Sequence, residues 1–278
     1  MENNSPSLAF SSPSETAAEV GVSLMIETSH LSKKFDSKEA VHDLNLIVRE
    51  GEIFGFLGPN GAGKSTTVKM LTGMIFPTSG SAHICGFDIA EQPVEVKKRI
   101  GYVPESAALF ESLTGWEYLH LIADLHHLEP ALADKRIEEF LTLFGLWEER
   151  GSRLQQYSKG MKQKVLISAG LIHNPPVLFL DEPLNGLDAN AALVFKELLR
   201  KFSAQGKTIF FTSHILDVVE KICSRIVIID NGAVIAEGTG ASIAQSAGRT
   251  TLEEAFSALT GMKDARDSAQ DFLEALGS

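Results

Sequence analysis

The chain has 278 residues, 44% of them apolar and 22% charged, and a formal net charge of -11. That length holds one large domain, or one domain carrying a small inserted subdomain. The acidic balance, with no basic stripe along the chain, argues against a nucleic-acid partner, whose phosphates need clustered Lys and Arg.

From Met1 to about Gly21 the chain is rich in Ser, Pro, Asn and Glu, and lacks the basic start and apolar middle of a signal peptide. Residues 1–24 are therefore expected to form a disordered extension, with ordered structure from Met25. Leu44 to Val48 followed by Gly51 suggests an antiparallel sheet at the front of the domain. Glu52 to Leu57 reads as a strand entering a Gly-rich turn, and Ser65 to about Thr72 as a helix stopped by Gly73. Residues 105–155 have a different texture. Thr114-Gly115-Trp116-Glu117 fits a capping box, and Ile137, Phe140, Leu141 and Phe144 make one apolar helix face. This stretch is expected to be a helical insertion.

Beyond it an α/β rhythm resumes. Helices are expected at about Lys159–Ile172, Ala191–Phe202 and Ile215–Ile222, and strands at Val177–Leu180, Thr208–Thr212 and Arg225–Ile229. Alternation of this kind implies a mostly parallel sheet with helices on both faces. Residues 241–278 form a tail, where Leu252, Ala255, Phe256 and Leu259 have the spacing of a docked helix. No apolar stretch approaches the ~18–20 residues that span a bilayer, so any membrane contact is expected through a partner. Cys85 and Cys223 stand in no metal-like spacing and are expected as buried thiols in a reducing cytoplasm.

Gly58-Pro59-Asn60-Gly61-Ala62-Gly63-Lys64-Ser65, followed by Thr66 and Thr67, is a full P-loop between a strand and a helix. Its glycines let backbone amides wrap phosphate oxygens, and the helix adds its positive end. Lys64 is suited to the β- and γ-phosphates and Ser65 to Mg²⁺. Val177 to Leu180 is a buried strand ending in Asp181 and Glu182, at the strand end where α/β sheets place ligands. Asp181 suits a Mg²⁺ role and Glu182 the base that polarises attacking water.

Between these lies Tyr157-Ser158-Lys159-Gly160-Met161-Lys162-Gln163, which resembles the signature motif of ABC ATPases, in the form found in exporters with a separate permease chain. Lys159 and Met161 stand where the usual pattern has Gly and Gln. Physically, Ser158 and the Gly160 amide stand at a helix N-terminus, a ready anion site. The resemblance extends over Met25 to Gly238 with further motifs in order. Asn185-Gly186-Leu187-Asp188 resembles the D-loop, His214 of Thr212-Ser213-His214 the switch histidine, and Phe35, ahead of the first strands, the aromatic residue that stacks on adenine. The other seven histidines are expected on the surface or in packing roles. Ile100 to Glu105 occupies the Q-loop position with Glu105 in place of Gln, where the family contacts Mg²⁺ and the attacking water.

The resemblance implies an α/β P-loop NTPase core of ABC ATPase type, with an antiparallel β subdomain and an inserted helical subdomain. It implies an ATP-hydrolysing subunit with ATP and Mg²⁺ as cofactors. Ser158, Gly160 and Asp188 would then serve nucleotide bound by a second ATP-binding subunit, in a homodimer or heterodimer. The subunit would drive a separate transmembrane permease from the cytoplasmic face of the membrane. A soluble ABC ATPase acting on ribosomes is the alternative, usually with two cassettes per chain where this chain has one.

Overall fold

The structure is a computed structural model that describes residues 23–105, 109–262 and 273–276. Residues 1–22 of the expected extension lie outside these, and the first strand begins at Leu24. In chain order, β1 (Leu24–Phe35) and β2 (Lys38–Arg49) are followed by β3 (Ile53–Leu57) and α1 (Lys64–Leu71). Next come β4 (Ser79–Ile84), β5 (Phe87–Asp88), α2 (Pro93–Lys97) and β6 (Ile100–Val103). The insertion holds α3 (Gly115–Leu125) and α4 (Pro130–Leu143). After it run α5 (Lys159–Leu171), β7 (Val177–Asp181), α6 (Ala189–Ala204), β8 (Thr208–Thr212) and α7 (Leu216–Ile222). The chain then forms β9 (Arg225–Asp230), β10 (Ala233–Gly238), α8 (Gly240–Ser246) and α9 (Leu252–Thr260).

Two sheets result. The front sheet has order β2-β1-β4-β5 and is antiparallel; the central sheet has order β10-β9-β3-β8-β7-β6. Its inner pairs are parallel and only the edge strand β10 runs antiparallel, a departure from the alternating pattern produced by the tight Asn231-Gly232 turn. β3, β7 and β8 are buried at every residue, as strands covered on both faces must be. Successive side chains of a strand point to opposite faces, and the core divides accordingly. Leu178, Leu180, Ile209 and Phe211 join the helix-facing cluster, while Phe179 and Phe210 join the cluster beneath the front sheet. Phe210 lies 5.3 Å from Phe54 and 5.1 Å from Phe56 between ring centroids, an aromatic centre on the face of the central sheet that packs beneath the front sheet.

The capping box forms as expected: Glu117 N–H donates to Thr114 Oγ1 and Thr114 N–H to the Glu117 carboxylate. On α4, Ile137 and Leu141 are fully buried and Phe140 and Phe144 partly so. In the tail, Leu252 and Ala255 of α9 are buried against the helix-facing core. The two cysteines are free, and as whole residues they are only partly buried where buried thiols were expected. Cys85 sits in the turn between β4 and β5, and Cys223 caps the end of α7 with its thiol packed against Gly55, where burial raises its pKa.

Where the end of α3 meets the end of α5, the rings of His126 and His173 stack with centroids 3.6 Å apart. His173 Nε2 lies 3.0 Å from the Ile100 carbonyl oxygen. Burial, and then the neighbouring His126, push His173 down to about 4. Unfolded imidazole titrates near 6.5. Between these values the unfolded chain takes up a proton that the native chain refuses, so stability is expected to fall as pH drops from about 6.5 to about 4. Thermal melts across that range should show the loss, and His173→Phe should flatten it. An unchanged slope in that variant would assign the loss to other groups.

Candidate functional site

Because its inner strands are parallel, the central sheet carries its connecting loops from β3, β6, β7 and β8 to one edge. A cavity of about 680 Å³ opens there. Asn60, Gly61, Gly63, Lys64, Ser65 and Thr66 line it from the loop after β3, and Glu105, Asp181, Glu182 and His214 from the other strand ends. Phe35, with Lys38 and Ala40, closes it from the front sheet. Gly58, Pro59 and Ala62 do not line the cavity; they shape the loop behind it. Phe35 is the last residue of β1 rather than ahead of the first strands, since that strand begins at Leu24. It is 47% exposed, which removes it from the core, and the Lys33 ammonium stands 5.0 Å from its ring centroid.

The loop enters α1 through Gly63 at φ 109, and a Cβ there would stand 2.4 Å from the Ala40 carbonyl oxygen. Only glycine permits both the backbone and the approach. Lys64 Nζ donates to the carbonyl oxygens of Gly58 (2.6 Å) and Pro59 (3.1 Å). Burial lowers the lysine pKa, against an opposite pull from the carboxylates of Glu182, Asp181 and Glu105. The ammonium thus stands half-buried facing acids, with no direct ion pair to either Asp181 or Glu182.

Asp181 and Glu182 are both buried, and neighbouring β8 holds them. The sheet register places Asp181 beside Thr212. Thr212 Oγ1 donates to Asp181 Oδ1 at 2.5 Å, and the Glu182 N–H donates to the Thr212 carbonyl at 3.2 Å. Glu182 itself sits at φ 50, a left-handed conformation that costs of order 1–3 kcal/mol in a non-glycine residue. His214 Nδ1 lies 2.9 Å from Glu182 Oε2. Burial raises the Glu182 pKa, hydrogen bonds from His214 and Ser213 lower it, and the charge of Glu105 raises it again. Ser65 and three carboxylates supply the hard oxygen donors that Mg²⁺ selects. Among the described residues no cluster of three or more His, Cys, Asp or Glu is arranged to cage a metal by itself. The donor set therefore fits an ion shared with phosphate oxygens, as Mg²⁺ usually is.

Ser158, Gly160 and Asp188 are absent from this cavity. Ser158 caps α5, its Oγ accepting from Met161 N–H at 3.2 Å. Asp188 caps α6, its Oδ1 accepting from Ala191 N–H at 2.8 Å, and that bond, with the Lys164 ammonium, lowers its pKa. The hydroxyl of Thr212 escaped the sequence reading, because its only signal is the register between two strands distant in sequence.

A family model described as "ABC transporter" matches residues 41–185. The chain belongs to the ABC transporter family, as an ATP-binding cassette. It is 43% identical over 197 residues to the uncharacterized ABC transporter ATP-binding protein all4389 of Nostoc, covering 70% of this chain and 58% of that protein. The similar protein sll0415 of Synechocystis is 39% identical, with 79% of this chain and 64% of the relative covered. The chain thus spans about three fifths of these two relatives. The daunorubicin/doxorubicin resistance ATP-binding protein DrrA of Streptomyces peucetius is 39% identical over 82% of this chain and 69% of its own length. Among solved structures, an ATP-binding subunit of an ABC transporter superposes with a TM-score of 0.80 at 34% identity, covering 84% of this chain and 99% of that one. The dimeric post-hydrolysis cassette MJ0796 with ADP and Pi gives 0.72 at 26% identity, covering 77% and 98%. ABC cassettes are ATPases.

Proposed function

We propose that this chain hydrolyses ATP as one half of a dimer and thereby drives a separate membrane permease for export. One observation carries the reading. Lys64, Ser65, Asp181, Glu182 and His214 share a cavity, while Ser158 and Gly160, an anion-binding helix start, stand outside it on the same chain. A second copy supplies what each cavity lacks. The dimeric MJ0796 cassette, captured with ADP and Pi, supports this arrangement, and the name of DrrA supports export.

In this mechanism Phe35 stacks on the adenine, the loop amides and Lys64 hold the phosphates, and Ser65, Asp181 and Glu105 would hold Mg²⁺. An ion held there would offset the charge that develops on the phosphates. Glu182 orients and deprotonates the attacking water, and His214, bonded to Glu182, faces the terminal phosphate. Closure of two subunits over ATP and release after hydrolysis form a rigid-body switch that the permease follows. No helix among the described residues is long and apolar enough to cross a membrane. Attachment at the cytoplasmic face through the helical insertion fits that finding.

Complementation tests the shared site. Lys64→Ala removes a phosphate-holding cation, and Ser158→Arg blocks the anion site. Each alone should be inactive. Mixed in one dimer, they should restore up to half of wild-type turnover, because the Ser158→Arg cavity then meets an intact signature. Steady-state phosphate release reads the outcome, and a mixture as inactive as its parents would overturn the two-chain site.

A further inference from the structure

Three residues on one face of α5 meet the loop that follows Asp181. Gly160, Gln163 and Lys164 have the i, i+3, i+4 spacing that aligns side chains on a helix. A Cβ on Gly160 would lie 2.4 Å from the Gly186 carbonyl oxygen, so the two backbones touch. Gln163, 4% exposed, donates from Nε2 to the Pro183 carbonyl oxygen at 3.1 Å. Lys164 Nζ lies 3.2 Å from Asp188 Oδ2, while the other oxygen of Asp188 caps α6. Pro183 directly follows Glu182, whose left-handed backbone needs support from its surroundings. The Gln163 amide fastens the first carbonyl after that strained residue.

We propose that Gln163, with Lys164 at its rim, is a positioning residue that locks the signature helix to the Glu182 turn, so that both move as one body. Resting on the shared two-chain site proposed above, the lock joins the chain's own hydrolytic carboxylate to the anion site that it lends to its partner. A change at one ATP therefore reaches the other without passing through the permease. Gln163 touches no nucleotide in this scheme; it acts through Glu182 and through the start of α5.

The test is a split between binding and turnover in the full chain. Gln163→Leu keeps the bulk and removes the donor, leaving the buried Pro183 carbonyl unpaired. Affinity of the isolated subunit for a fluorescent trinitrophenyl-ATP should stay within about twofold of wild type, because the P-loop is untouched. Turnover with Mg-ATP should fall by about tenfold, the scale of one buried hydrogen bond lost. The Hill coefficient for ATP should drop from its wild-type value toward 1. Lys164→Met should act in the same direction but less, since its ion pair is partly exposed. Wild-type turnover and Hill coefficient in a folded Gln163→Leu protein would overturn the lock. Should that variant fail to fold, Lys164→Met decides, and wild-type cooperativity there overturns it. A wild-type chain that is itself non-cooperative and never dimerises with ATP would instead overturn the two-chain reading.

Discussion

Lys64→Ala is expected to reduce ATP turnover to background and to weaken nucleotide binding by about a hundredfold. The geometry gives the reason. Lys64 is the cation of the cavity wall nearest the acids, and Glu182, Asp181 and Glu105 all act on its charge. Among the described residues its ammonium bonds to two carbonyls, Gly58 and Pro59, which it can exchange for phosphate oxygens without breaking an ion pair. A charge-assisted hydrogen bond is worth about 1.5–3 kcal/mol, and a hundredfold loss corresponds to about 2.8 kcal/mol. Removing the charge also leaves three carboxylates facing a polyanion, so the loss should lie near the upper end. Titration with a fluorescent nucleotide and steady-state phosphate release measure the two effects. The fold should survive, because Lys64 stands at the start of α1 and its aliphatic stem is only partly buried. Unchanged turnover would remove the loop from the active site.

Much of the site was legible before any coordinate, because its chemistry is local. A P-loop is one continuous segment, and the paired acids end one continuous strand. Their meeting follows from a parallel sheet whose strand ends share an edge. The capping box at Thr114 and the docked helix at Leu252 were legible for the same reason, as each is written within a few residues. Non-local relations were not. β6 is four residues long and was read only as a motif, and β10 pairs antiparallel because of a turn whose partner strand the sequence does not name. The Thr212 hydroxyl reaches Asp181 across a register of 31 residues. Gln163 looked like the end of a motif until Pro183, twenty residues onward, was placed beneath it. Phe35 shows the opposite case. A phenylalanine is ordinarily a core residue, and only its exposure at the end of β1 sets it outside the core.

Glu182→Gln should bind ATP at least as well as wild type and hydrolyse it about 10²–10⁴-fold more slowly, the range that a general base contributes. Gln has the length and shape of Glu, so the side chain still fits the buried pocket beside Thr212 and Ser213. It changes neither the backbone nor the φ of 50, and the variant therefore isolates charge. Loss of one carboxylate also relieves repulsion toward the triphosphate, which is why affinity should not fall. With ATP held and not cleaved, the closed dimer should accumulate, and size-exclusion chromatography in Mg-ATP should show more dimer than wild type. In the wild-type protein the acid limb of the rate profile should lie above the ordinary glutamate range near 4.3, since burial raises the Glu182 pKa. His214→Ala should move that limb higher still, because the hydrogen bond from His214 lowers the same pKa. A Glu182→Gln chain that turns over at the wild-type rate would show that the water is activated elsewhere. Slow turnover without any dimer would keep Glu182 as the base and place closure under the control of the permease.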